Sequence, residues 1–168
     1  MSESIEKYIT LIQGTYQNSE LCHGYYPTVN SFTYNEATEF IRIGKKPILQ
    51  YIQRTTHPTS HQLMHIELGL IKFMVLNDQI HTTLQICQAS GINELCQGTI
   101  EQTNNNGLIL HYKTESLQRS TLNSGRITTG IERIYKFTND AMEFNISMST
   151  DHTTQMTPHL HGTLHKSK

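Results

Sequence analysis

The segment AMEFNISMST, residues 141–150, carries the pattern that decides the fold class of this chain. Apolar and polar residues alternate along it, and the successive side chains of a strand point to opposite faces of a sheet. The segment is therefore predicted to be an antiparallel strand with one buried face and one solvated face. The residues assigned to the buried face are Met142, Phe144, Ile146 and Met148.

Similar short segments, rich in Ile, Thr, Tyr and Phe, follow one another from residue 32 onward. Each break between them contains Gly, Asn, Asp, Pro or Ser, the residues that tight turns require. We therefore expect eight to ten short strands joined in sequence. The breaks are IGKKP (43–47), HPTSH (57–61), LNDQ (76–79), ASGINE (89–94), TNNNG (103–107), LNSG (122–125) and FTNDA (137–141).

One helix is predicted near residues 3–13, where Ile5, Tyr8, Ile9 and Ile12 share a helical face and Gly14 follows as a C-cap. The whole chain, residues 1–168, is interpreted as a single all-β domain. Its predicted architecture is an antiparallel up-and-down β-barrel of about ten strands with a short N-terminal helix. A sandwich would also bury the apolar faces, but closure into a barrel removes exposed edges.

Composition excludes several classes of function. The net charge is −1 and no Lys/Arg-rich run is present, so we expect no binding to nucleic acid or to an anionic membrane. No stretch approaches the roughly 20 apolar residues of a membrane span, which predicts a soluble, cytoplasmic protein. The three cysteines, Cys22, Cys87 and Cys96, show no CxxC spacing and are interpreted as free thiols.

Histidines are abundant, with ten in the chain, and the stretch TPHLHGTLH at 157–165 is the most informative. His159 and His161 lie two apart in the predicted last strand, so both should project to one side, opposite Leu160 and Leu164. One interpretation places both histidines in water. In another, Pro158 starts the strand irregularly at the barrel rim and His159 points into the mouth, where a neutral imidazole can bind iron or zinc.

Six separated motifs together resemble the nitrobindin family, haem-binding proteins with a barrel like that of fatty-acid-binding proteins. The resemblance covers nearly the whole chain and is weakest near residues 100–130. The family usually carries a GxWxGxGxG motif, whereas here Tyr16 replaces the tryptophan and the middle glycines are absent. The six motifs are GTYQ (14–17), GYYPT (24–28), FTYNEATEF (32–40), GKKPILQY (44–51), LMHIELGLIK (63–72) and MSTDHTTQMTPHLHGTL (148–164).

The resemblance implies a function and a set of site residues. His159 becomes the axial ligand of a ferric haem b iron and the residue on which catalysis depends. Thr28 becomes a haem contact, and Met64 and His65 lie against the pocket. The implied activity is enzymatic: binding of nitric oxide and isomerisation of peroxynitrite to nitrate. Formation of a homodimer is left open.

Other residues near the predicted haem site have alternative roles. Glu67 either accepts a hydrogen bond from His65 or pairs with an adjacent strand. Phenol and guanidinium donors suit haem propionates, and the sequence does not choose among the four candidates. Two other functions are considered: a haem-free barrel that binds a lipid or another apolar ligand, and a zinc site at the HxH pair with His65 or His152. The propionate candidates are Tyr25, Tyr26, Arg126 and Arg133.

Overall fold

A computed structural model describes residues 3–122 and 125–167 and contains a helix and eleven strands. No helix among these residues is long and apolar enough to cross a membrane. The elements are α1 (Glu3–Ile12), β1 (Gly14–Asn18), β2 (Cys22–Tyr26), β3 (Val29–Arg42), β4 (Ile48–Thr56), β5 (Leu63–Leu76), β6 (Gln79–Gln88), β7 (Ile92–Gln102), β8 (Leu108–Arg119), β9 (Thr128–Phe137), β10 (Ala141–Thr150) and β11 (Thr157–Lys166).

The strands form a closed antiparallel barrel in which sequence neighbours pair with one another from β2 through to β11. β1 and β2 follow one another at a single position of the barrel, because both pair with β3 on one side and with β11 on the other. Eleven strands therefore occupy ten positions. The predicted up-and-down barrel of about ten strands is confirmed, and so is the short N-terminal helix.

The predicted breaks coincide with connections between strands. The LNDQ break forms a hairpin turn in which Asn77 and Asp78 have φ of 50° and 60°, as a two-residue turn of type I′ requires. In the IGKKP break, Gly44 has φ of 55°. The LNSG break falls partly outside the described residues, since residues 123 and 124 are not among them.

The helix closes one end of the barrel. Its buried residues Ile5, Ile9 and Ile12 cover the interior at the end where β10 places Met142 and Phe144. Ile146 and Met148, further along β10, are only half-buried and belong to the wall of a cavity. β10 therefore runs from the packed core near the helix to the wall of the cavity.

Tyr16 joins the helix to the barrel. Its ring is fully buried and packs edge-on against Phe40 and Phe137, with centroids 5.8 and 6.1 Å away. Its hydroxyl donates to the Ile12 carbonyl oxygen at 2.9 Å, one of the acceptors that a helix C-terminus leaves free. The residue that replaces the family's tryptophan thus fills the closed end of the barrel.

We expect Tyr16→Ala to lower the free energy of unfolding by about 3–5 kcal/mol, because it empties a packed aromatic site and frees the helix terminus. Urea denaturation followed by circular dichroism measures this loss. Tyr25→Ala is the matched control, since Tyr25 is 52% exposed and should change stability by less than about 0.5 kcal/mol. Equal losses in the two variants would contradict the role given to Tyr16.

Candidate functional site

A cavity of about 350 Å³ lies in the half of the barrel away from the helix. Pockets for small ligands have volumes of about 300–1,000 Å³, so this cavity is large enough to hold one. It opens to solvent beside Met64, which lines it and is 45% exposed. Its wall is mainly apolar, formed by Phe32, Met64, Ile92, Ile131, Ile146, Met148 and Leu160.

A β-bulge in β11 decides which histidine faces the cavity. Ile146 pairs with Leu160 whereas the next residue, Ser147, pairs with Pro158, so His159 is an extra residue in its strand. A bulge redirects side chains locally, and both His159 and Leu160 line the cavity. The prediction that His159 and His161 project to the same side is therefore wrong. His161 is exposed on the outer surface, where its ring stacks on that of His23 of β2 with centroids 5.2 Å apart.

The His159 ring is held with one nitrogen bound and the other free. Nδ1 lies 2.8 Å from the Tyr25 carbonyl oxygen, an acceptor, so Nδ1 carries the proton in the neutral ring. Nε2 makes no hydrogen bond to any residue that the structure describes. The ring packs edge-on against Tyr26 at 5.5 Å and against Phe32 at 6.4 Å.

Burial keeps this imidazole neutral. It lowers the pKa of His159 below its usual value, and the nearby His65 lowers it further, against the opposing effect of the Tyr25 carbonyl. A neutral imidazole with an unprotonated Nε2 is the form that ligates iron or zinc. His159 therefore presents a metal-ligand nitrogen at the mouth of the cavity.

The other predicted contacts are divided between the cavity and the surface. Met64 and His65 line the cavity, as the resemblance implies. Thr28 lies in the exposed turn between β2 and β3 and is not among the lining residues, so its contact with haem stays a prediction. The zinc site proposed for the HxH pair loses its geometry, because His159 and His161 face opposite sides of the strand.

A charged layer lies beneath the cavity, centred on Arg133 of β9, which is 2% exposed. Its guanidinium donates to both carboxylate oxygens of Glu67, each at 2.9 Å, and to both oxygens of Glu94, at 2.6 and 3.2 Å. Nη1 also reaches the Tyr135 hydroxyl at 3.4 Å. All five N–H donors are used, so Arg133 has none left for a propionate.

Glu67 combines the two roles that the sequence offered as alternatives. Its Oε1 lies 3.3 Å from Nε2 of His65, and both of its oxygens bind Arg133. Arg133 is on β9, across the barrel, and Glu67 also accepts a hydrogen bond at 3.1 Å from the Tyr51 hydroxyl on the adjacent strand β4, so the expected pairing with a neighbouring strand is confirmed. Burial alone would raise the pKa of Glu67, but the guanidinium overrides burial and holds this pKa at about 2.

A third buried acid, Glu36, lies near the cavity lining and was not predicted from the sequence. Burial raises its pKa to about 7, although hydrogen bonds from the Gln53 amide and the Thr38 hydroxyl oppose this shift. Glu36 is at an inward position of FTYNEATEF, between Tyr34 and Thr38. The alternation of residues in that motif is the signal that could have identified Glu36, because it places this glutamate on the same face as buried aromatic residues.

The remaining propionate candidates have different surroundings. Tyr26 donates its hydroxyl to the Met148 carbonyl oxygen at 3.4 Å, and Arg126 lies 2.5 Å from Nε2 of His152 on the surface. Tyr25 is 52% exposed near the mouth, where its backbone already binds His159. The choice of a propionate partner therefore stays a prediction, now without Arg133.

We expect Arg133→Met to lower the free energy of unfolding by about 3–5 kcal/mol at pH 8, since it leaves two buried carboxylates without a cation. The loss should shrink at pH 5, where protonation of these carboxyls relieves their repulsion. Urea denaturation at both pH values tests this. Lys136→Met on the same strand is the control, because Lys136 and its partner Glu143 are about half exposed. A loss that is equal in both variants would refute the assigned role.

Glu36 should make stability depend on pH near neutrality. Its pKa is about 7 in the folded protein and about 4.3 in an unfolded chain, so the folded state binds this proton more tightly. The resulting stability is present at low pH and is lost as the pH rises through 7. Relative to the native chain, Glu36→Gln should gain about 2 kcal/mol between pH 5 and pH 8. The exposed Glu143→Gln should gain nothing, and a gain of the same size there would contradict the assignment.

Comparisons with known proteins agree with this architecture. The crystal structure of Rv2717c from M. tuberculosis superimposes with a TM-score of 0.84 and 23% identity, covering 100% of this chain and 99% of that one. A protein of Nocardia farcinica named peroxynitrite isomerase is 28% identical over 144 residues, 86% of this chain and 81% of the relative. Peroxynitrite isomerase THAP4 of Homo sapiens is 28% identical over 155 residues, 91% of this chain.

This chain spans about a quarter of the length of the mammalian relatives, since the match covers 25% of the human protein and 26% of the rat one. The family described as the THAP4-like, heme-binding beta-barrel domain matches residues 8–166. That match confirms the resemblance to nitrobindins that the sequence motifs indicate. By its sequence, therefore, this chain belongs to the THAP4-like, heme-binding beta-barrel domain family.

Proposed function

We propose that this protein binds ferric haem b through His159, binds nitric oxide at the iron and isomerises peroxynitrite to nitrate. The observation that carries the proposal is the His159 ring, whose Nδ1 is fixed by the Tyr25 carbonyl while Nε2 is free at the mouth of an apolar cavity. Family membership supports haem binding, and the names of the relatives support the reaction.

The residues of the cavity suit a haem group. Nε2 of a neutral imidazole can ligate the iron, and the hydrogen bond from Nδ1 to a carbonyl both orients the ring and increases its basicity. Apolar side chains such as Met64, Ile146 and Leu160 offer a surface for a porphyrin face. Burial of that surface would contribute about 25 cal/mol for each Å² removed from water.

When bound, the haem iron would supply the Lewis acidity for the isomerisation of peroxynitrite to nitrate. The chain's own residues set the conditions for that chemistry. His159 fixes the position of the iron relative to the cavity, and the apolar wall excludes water. Tyr25 holds His159 through its backbone carbonyl, so this contact does not depend on the Tyr25 side chain.

His65 is restrained in this arrangement. Its Nε2 lies 3.3 Å from Oε1 of Glu67, and both oxygens of Glu67 in turn bind the buried Arg133. An imidazole tethered in this way borders the cavity while its Nε2 is engaged by a carboxylate. We therefore assign ligation of the iron to His159, and we assign His65 to the wall of the cavity.

Titration with ferric hemin tests the assignment of the iron ligand. The native chain and His161→Ala should each give a saturable 1:1 Soret band, because the side chain of residue 161 lies outside the cavity. His159→Ala should lose more than about 100-fold in affinity, beyond the usual effect of changing a residue that only supports a ligand. Unchanged affinity in His159→Ala would refute the assignment.

The reaction is tested separately on hemin-loaded protein. Stopped-flow mixing with peroxynitrite should show faster decay and a larger yield of nitrate for the native chain and for His161→Ala than for buffer alone. Protein that binds hemin tightly but leaves the decay rate unchanged would retain the haem assignment and refute the isomerase assignment.

A further inference from the structure

Two polar atoms at the floor of the cavity are buried without a hydrogen-bond partner among the described residues. They are the Tyr34 hydroxyl and the Gln53 side-chain oxygen, in residues that are 1% and 4% exposed. Tyr34 is on β3 and Gln53 is on the adjacent strand β4, and both line the cavity. A buried polar group without a hydrogen-bond partner is destabilising, so two of them on the lining of one cavity indicate a ligand.

We propose that the inner end of the cavity binds a small neutral alcohol, whose hydroxyl group is held by Tyr34 and Gln53. The site goes beyond the proposed function, because none of its groups ligates iron and its occupation does not require haem. The site formed by Tyr34 and Gln53 lies next to the charged layer of Arg133, whereas His159 lies at the mouth of the cavity.

The hydrogen-bonding capacity of the two residues selects a hydroxyl group. The Gln53 amide nitrogen donates to Glu36, which leaves the amide oxygen as an acceptor. Burial and the interaction with the same carboxyl raise the pKa of the Tyr34 hydroxyl, but this hydroxyl makes no hydrogen bond of ordinary length to any described residue, so a ligand oxygen can compete for its proton. The site therefore calls for a ligand group that can accept from Tyr34 and donate to Gln53, and the hydroxyl group of an alcohol does both.

The charges of the floor exclude a carboxylate ligand. Glu67 and Glu94 share one cation, Arg133, which leaves one negative charge in excess. Glu36, whose pKa burial raises to about 7, adds negative charge above neutrality. Arg133 has no unused donor with which to bind an anion. A fatty acid, one of the ligands suggested by the barrel shape, therefore does not suit this floor.

The wall above the floor suits a short alkyl chain. Ile131, Ile146 and Leu160 line the space between the charged layer and the mouth. An alcohol with its hydroxyl at Tyr34 and Gln53 would place its carbon chain along these side chains, where each methylene removed from water strengthens binding. A primary alcohol of about six carbons is the probe that we choose.

Calorimetric titration of the full chain without hemin, using 1-hexanol and hexanoate, tests the site. We expect saturable binding of hexanol and at least 10-fold weaker binding of hexanoate. Tyr34→Phe should weaken hexanol binding about 5-fold, since it removes one hydrogen bond. Tyr25→Phe is the matched control, because Tyr25 is exposed and lies outside the set of lining residues.

The stability of Tyr34→Phe separates an alcohol site from one that holds only an ordered water. If the hydroxyl is unpaired in the free protein, the variant should unfold at an equal or higher temperature than the native chain. A lower unfolding temperature together with no saturable hexanol binding would identify a water-filled floor and overturn the proposal. Equal affinity for hexanol and hexanoate, or unchanged hexanol affinity in Tyr34→Phe, would overturn it too.

Repeating the titration on His159→Ala without hemin distinguishes this proposal from the haem function. Hexanol binding should persist in His159→Ala without hemin, whether or not that variant takes up haem. Loss of hexanol binding in His159→Ala would show that the alcohol occupies the rim and would overturn the assignment to Tyr34 and Gln53.

Discussion

The ion pairs of Arg133 divide the interior of the barrel into two halves. Below them, towards the helix, aromatic and aliphatic side chains such as Tyr16, Phe40 and Phe137 fill the space. Above them lies the cavity. Three buried charged groups, Glu67, Glu94 and Arg133, satisfy one another, so the layer persists inside an otherwise apolar barrel. It forms a rigid floor that holds the site open, and through Glu67 it reaches His65 at the wall.

The chemistry at the other end of the cavity depends on one extra residue. Without the bulge in β11, the alternation of the strand would place His159 outside with His161, and Leu160 alone would face inward. The same segment is held to β2 by the pairing of Leu160 with Gly24 and by the hydrogen bond from His159 to the Tyr25 carbonyl. An added methyl group at Gly24 would collide with the Phe32 ring, so close packing there helps to fix the aromatic neighbours of His159.

The sequence predicts the architecture better than it predicts the site. Strands and turns follow from local signals, the alternation of apolar residues and the positions of Gly, Asn and Pro, which hold at short range. The partners of Arg133 are 66 and 39 residues away, at Glu67 and Glu94, and spacing carries no information at that range. Pro158 alone indicated in the sequence that this strand begins irregularly, and it did not locate the bulge. Thr28 was assigned from the resemblance alone, and although the neighbouring Pro27 favours the exposed turn in which Thr28 lies, nothing in the residues themselves indicates a contact with haem.

A crystal structure of the chain grown with ferric hemin tests the central claim most directly. It should show iron bound to Nε2 of His159 while Nδ1 still donates to the Tyr25 carbonyl oxygen, with His65 beside the cavity and bound to Glu67. Iron bound to His65, or haem bound elsewhere with His159 unligated, would contradict the claim that the bulge in β11 creates the haem site.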